Sequence, residues 1–131
     1  MLLTIGILPC AGTASRIGRL PKFMFPMENN ECLLSLWIKK LIELNCDRII
    51  IPCSDVTYPF VRHITDNLNV DKINILNIGQ TLTMNETIIK SISDLEYDLL
   101  IMGMPDTFIT DINTILIERL ITSDCSVGTY L

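Results

Sequence analysis

The chain reads as an α/β domain of the Rossmann-like, three-layer α/β/α type, built on a mainly parallel sheet. Three observations predict this. Short apolar runs alternate with helical stripes along the 131 residues. Several of those runs are apolar throughout, as strands covered on both faces are, and do not alternate. Finally, the order βαβαβαβαβ demands right-handed crossovers, which put helices on both sides of the sheet. The strand order expected is 3-2-1-4-5.

The elements follow in turn. Leu2–Pro9 is a continuous apolar run and reads as the first strand. Leu33–Asn45 carries Leu33, Leu34, Trp37, Ile38, Leu41 and Leu44 as a helical stripe, with Lys39, Lys40 and Glu43 opposite. Arg48–Cys53 is the second strand, and Ser54 or Asp55 is placed to cap a helix over Tyr58–Leu68, with Pro59 in its first turn. Ile73–Ile78 is the third strand. Thr83 to Glu86 has the spacing of a capping box, and Ile88, Ile89, Ile92 and Leu95 follow at helical intervals. Tyr97–Met104 is the fourth strand, Asp111–Thr122 the last helix and Asp124–Leu131 a fifth strand.

The bulk properties restrict the function. One domain of this length buries most of its apolar surface without metals or disulfides. A net charge of −5 argues against non-specific nucleic-acid binding, which needs a basic face. The five cysteines show no ligand spacing and sit mostly in apolar surroundings, as free thiols of a reducing, cytoplasmic compartment do. No apolar run approaches the roughly 18 residues of a membrane span. The apolar start lacks the positive leading region of a signal peptide and is expected to be a strand. His63, the single histidine, reads as structural.

The chemistry concentrates in residues 7–27, ILPCAGTASRIGRLPKFMFPM. An apolar run enters a small-residue turn, Ala11, Gly12, Thr13 and Ala14, and Ser15, Arg16, Arg19 and Lys22 come directly after it. A turn of small residues offers its backbone N–H groups to phosphate oxygens, and the cations add charge beside them. The same small residues also suit a plain strand–helix turn, but the basic residues behind them favour phosphate. A second polar residue, Asp106, follows the fourth strand. In the expected order the first and fourth strands are neighbours at the switch point where open α/β sheets bind ligands. A carboxylate facing a phosphate site repels it unless a divalent cation lies between, so Asp106 suggests Mg²⁺. Asp after Pro105 also suits a helix cap or a turn, but its place at a strand end across from the basic loop favours the metal. Cys10 has no partner base in view and reads as a packing residue, and Met24, Met27, Met102 and Met104 read as core or pocket lining.

Ala11 to Ile17, then Pro21-Lys22 and Pro26, resembles the signature of the sugar-phosphate nucleotidyltransferases, the nucleotide-sugar pyrophosphorylases of the glucose-1-phosphate thymidylyltransferase kind: A-G-x-G-[ST]-R-[LM], P-K, P. Gly79-Gln80 and Met104 to Thr107 lie where that family keeps a base-contacting Gln and a metal-binding Asp. Ala14 stands where the family has its second glycine. The resemblance runs along the whole chain but matches only the N-terminal part of a full family domain. The expectation is therefore a single nucleotide-binding α/β domain over residues 1–131, as part of a longer nucleotidyltransferase or complete in itself.

The resemblance implies Mg²⁺-dependent transfer of a nucleotidyl group from an NTP to a sugar 1-phosphate, with release of pyrophosphate. Pro9, Ala11, Gly12, Thr13, Ala14 and Ser15 would hold the nucleotide and Gln80 would read the base. Arg16 and Lys22 would serve as the catalytic cations on the phosphates, and Asp106 would hold the metal. The partners implied are an NTP and sugar-phosphate-like small molecules, with neither nucleic acid nor membrane, and the exposed terminal strand also allows a homo-oligomer. A catalytically incomplete nucleotide-binding or regulatory domain is the alternative. An oxidoreductase-type Rossmann domain is disfavoured, since no G-x-G-x-x-G follows the first strand and no acidic residue ends the second.

Overall fold

A computed structural model describes residues 2–11, the backbone of 16–17, and residues 20–107. The elements are strand β1 (Thr4–Ile7), the two-residue strands β2 (Arg16–Ile17) and β3 (Leu20–Pro21), helix α1 (Leu33–Glu43), β4 (Arg48–Cys53), α2 (Tyr58–Asp66), β5 (Ile73–Asn77), α3 (Met84–Ile92) and β6 (Leu99–Met102). Single 3₁₀ turns at Lys22–Met24 and Glu28–Asn30 lie between β3 and α1.

Four strands form one parallel sheet in the order β5-β4-β1-β6. Counted over the expected strands this is 3-2-1-4, but the chain numbering differs from 3-2-1-4-5. An antiparallel hairpin, β2–β3, intervenes between the first and second strands of the sheet, and the expected last helix and fifth strand lie outside the described residues. The hairpin escapes a pattern reading because two-residue strands are too short to show any periodicity.

Burial explains the register. All four residues of β1 are buried, as are the last five of β4, whereas β5 and β6, at the edges of the four, are only half-covered. Side chains of a strand alternate between faces. Accordingly Ile49, Ile51 and Cys53 join Leu34, Trp37, Ile38 and Leu41 of α1 and Val61 and Ile64 of α2 in one cluster. Ile50 turns the other way, to Ile5, Ile7, Leu76, Leu100 and Ile92 of α3. Gly6 lets α1 approach the sheet closely, since a Cβ there would stand 2.7 Å from Leu41 Cδ1.

Two aspartates fasten the start of β1. Asp47 Oδ2 accepts from the Thr4 N–H at 2.8 Å, and Asp98 Oδ2 from the Leu3 N–H at 2.7 Å.

The helices end where local chemistry stops them. α1 finishes at Glu43, before the expected Asn45, because Asn45 takes a left-handed φ of 60°. The position before α2 is Thr57, with no side-chain cap. Ser54 and Asp55 have other partners: the Ser54 N–H donates to Thr57 Oγ1 at 2.9 Å, and Asp55 accepts from Asn77 Nδ2 at 2.6 Å. α3 starts as read from the sequence. Thr83 Oγ1 accepts from the Glu86 N–H at 3.2 Å, and the Glu86 carboxylate returns to the Leu82 N–H at 3.1 Å.

Candidate functional site

Because the sheet is parallel, the carboxyl ends of all four strands share one edge. The segments leaving them gather there around a cleft of about 420 Å³, which residues 21–23 of the hairpin region also line. Pro9, Lys22, Gln80 and Asp106, far apart in sequence, all line it.

The turn after β1 is zipped to β4 beyond the strand itself. Leu8 N–H donates to Ile50 O at 3.0 Å, and Cys10 N–H to Pro52 O at 2.8 Å. Pro9 is half-exposed at the cleft, and Ala11 is fully buried. Gly12, Thr13, Ala14, Ser15 and Arg19 lie outside the described residues. Arg16 is described in its backbone alone, as the first residue of β2.

Lys22 opens a 3₁₀ turn directly after Pro21. The next side chain, Phe23, is buried in the α1 core, and the Lys22 carbonyl accepts the Phe25 N–H at 3.0 Å. The turn is thus anchored by an aromatic residue, which leaves the half-buried Lys22 at the cleft wall.

Gln80 is exposed and follows Gly79, whose φ of 76° is open to glycine at no steric cost. The Gly79 N–H donates to Asn77 Oδ1 at 3.2 Å, so the chain turns sharply off β5. Thr81, buried behind it, shares a hydrogen bond with Thr87 of α3. Gln80 therefore sits on a segment fixed from both sides.

Asp106 belongs to the segment after β6. Gly103 N–H continues the β1–β6 pairing, donating to Ile7 O at 2.9 Å. Pro105 is buried and Asp106 exposed. The turn closes through Thr107, whose N–H donates to the Met104 carbonyl at 2.9 Å. Trp37 of α1 donates its Nε1–H to the Thr107 carbonyl at 2.8 Å.

The electrostatics of the cleft are simple. Lys22 and Asp106 bring one charge of each sign to its described lining. Cys10, at the floor, is only 6% exposed. Burial first, then the neighbouring Cys53, Asp106 and Cys32, push its thiol well above the usual cysteine value of 9.0. That disfavours the thiolate, and Cys10 packs in the core cluster under α1.

A divalent cation fits this arrangement in one way only. No group of three or more His, Cys, Asp or Glu side chains able to hold a metal occurs among the described residues. Asp106 is a single exposed carboxylate in the cleft, without a hydrogen bond or ion pair to another described residue. Mg²⁺ keeps several waters and is commonly held by one or two carboxylates together with substrate phosphates. The residues fit a metal that arrives with a phosphate ligand, and they do not form a protein cage.

Further residues line the cleft that the sequence did not assign to the nucleotide. Ser54 and Thr57, both buried after β4, present hydroxyls 3.2 Å apart at the cleft. Their place at a strand end was the available signal, but Ser54 reads equally well as a cap. Leu82, 88% exposed, and Val56, Met84 and Met104 form an apolar rim. His63 is exposed on α2 and is not among the residues of the cleft.

No helix among the described residues is long and apolar enough to cross a membrane. No protein-family model matches this chain, and no curated protein matches it.

Proposed function

We propose that this chain binds a nucleoside triphosphate in the cleft at the carboxyl edge of the sheet and belongs to a Mg²⁺-dependent nucleotidyltransferase acting on a sugar 1-phosphate or a related phosphate. The observation that carries this reading is the convergence of Lys22, Gln80 and Asp106, with Pro9 beside the small-residue turn, on one cleft. Those residues come from four separate segments, and the resemblance assigns Pro9, Lys22 and Gln80 to the nucleotide and Asp106 to its metal. The packing of α1 and α2 on one face of the sheet and α3 on the other supports the three-layer, Rossmann-like form of the fold.

In this reading the N–H groups of residues 11–15 hold phosphate oxygens. The acceptor phosphate oxygen attacks the α-phosphorus in line, a new P–O bond forms, and the bond to pyrophosphate breaks. Such a transfer needs little covalent help, so positioning and charge neutralisation supply most of the rate. Lys22 stabilises charge on the α-phosphate and Arg16 charge on the departing pyrophosphate. Gln80 offers one donor and one acceptor to a base edge. Bound Mg²⁺ would supply charge neutralisation between the phosphates and Asp106. The site belongs to a cytoplasmic protein whose partners are small molecules.

The test is pyrophosphate release. The chain is incubated with each common NTP, Mg²⁺ and a set of sugar 1-phosphates. Release that requires an NTP, Mg²⁺ and an acceptor together is the expected result. NTP binding without release from any pair would refute the transferase reading and support a nucleotide-binding regulatory domain. That second reading is favoured by the single carboxylate among the described lining residues.

A further inference from the structure

We infer that Trp37 is the positioning residue of the Asp106 carboxylate, an inference that rests on the nucleotide reading of the cleft. Trp37 lies in the middle of α1, 5% exposed. It meets the segment carrying Asp106 at both ends. At the start, the indole lies so close to Gly103 that a Cβ there would stand 2.6 Å from its Cε3 and Cζ3 atoms. At the end, its Nε1–H donates to the Thr107 carbonyl at 2.8 Å.

The residues between are held by their own backbone. Gly103 N–H is tied to β1, and the Met104 carbonyl accepts both the N–H and the Oγ1–H of Thr107, at 2.9 and 2.6 Å. Pro105 is buried. Asp106 is the charged side chain that this short, doubly anchored segment presents to the cleft. Its carboxylate bonds to no other described residue, so its place depends on the path of the backbone. That path is set from outside the segment by β1 and by the indole.

The indole N–H is a specific device here. A phenylalanine would fill the same core, whereas a buried N–H needs an acceptor, and the Thr107 carbonyl is the one it has. Coupling of this sort is reciprocal: a ligand that fixes Asp106 must also act on Trp37. Trp37 is the single tryptophan of the chain, so its emission reports that coupling without a label.

The experiment compares Trp37→Phe with the parent protein by calorimetric titration of ATP, CTP, GTP, UTP and dTTP, each with saturating Mg²⁺ and again with EDTA. The affinity gained from Mg²⁺ should fall about fivefold in the variant, the worth of one such hydrogen bond, while affinity in EDTA stays unchanged. Equal weakening under both conditions would mean a packing role only and would overturn the inference.

A second measurement does not depend on the variant folding. Emission from Trp37 in the parent should shift when the tightest-binding NTP is added with Mg²⁺, and should not shift in Asp106→Asn saturated with the same nucleotide. Bound nucleotide with unshifted parent emission would overturn the role of Trp37 alone. Failure of every NTP to bind the parent would overturn the nucleotide reading and this role with it.

Discussion

Replacing Gly103 by alanine puts a methyl group where the indole already is. The new Cβ would stand 2.6 Å from two ring atoms of Trp37 and 2.8 Å from Leu8 Cδ2, against 3.4 Å or more for ordinary contact. The indole is the neighbour with no room to give: Trp37 is 5% exposed and tethered to Thr107 through Nε1. Overpacking of this kind costs about 1–3 kcal/mol. If the ring retreats far enough to lose the Thr107 bond, about 1 kcal/mol more is lost. A total of roughly 2–4 kcal/mol corresponds to a fall in Tm of roughly 10 °C for a domain of this size.

The control is Gly6→Ala, where the closest atom is a single leucine methyl carbon, Leu41 Cδ1 at 2.7 Å, and the next lies at 3.3 Å. One methyl at the end of a side chain moves more readily than a tethered ring. The cost at Gly6 should therefore be smaller, about 1 kcal/mol. Differential scanning calorimetry and urea unfolding of both variants measure the difference. A Gly103→Ala protein as stable as the parent, or less affected than Gly6→Ala, would refute the packing argument.

Two further perturbations follow from the same geometry. Thr83→Ala removes the hydroxyl that accepts the Glu86 N–H at the start of α3; the expected loss is about 1 kcal/mol in urea unfolding, and an unchanged midpoint would contradict the cap. Burial raises the thiols of Cys46 and Cys53 from 9.0 to about 11 in the folded protein. The folded state therefore keeps protons that the unfolded chain sheds. Their contribution is fully present below pH 9 and is lost as the pH rises towards 11. The urea midpoint should fall across that window, and a midpoint constant to pH 11 would show these thiols to be solvated.

Much of this fold is legible in the chain because strong patterns decide it. The RIIIPC run has one solution, a strand covered on both faces, and β4 occupies those six residues. The Leu34-Trp37-Ile38-Leu41 stripe likewise fixes the buried face of α1. Ends are less legible, because single residues settle them. Asn45 stops α1 through a left-handed backbone, and Asp47 and Asp98 tie down β1 through bonds that no periodicity encodes.

Part of the site follows from topology. Once the strands are parallel, residues just past their ends share an edge, and Pro9, Gln80 and Asp106 are such residues. Lys22 arrives by another route, on a hairpin and 3₁₀ turn too short to read from sequence. The support for Asp106 was illegible for a different reason: Trp37 and Thr107 lie 70 positions apart, and a tryptophan in a helical stripe looks only like core.

On the proposed reading, triphosphate with Mg²⁺ lies between Arg16 and Lys22 on one side and Asp106 on the other. The decisive measurement is equilibrium binding of NTPs to the parent protein, to Lys22→Ala and to Asp106→Asn, with and without Mg²⁺. Saturable binding that Mg²⁺ strengthens, weakened at Lys22→Ala in either condition and made insensitive to Mg²⁺ in Asp106→Asn, is the outcome predicted. Affinity unchanged in both variants, or no NTP bound at all, would contradict it.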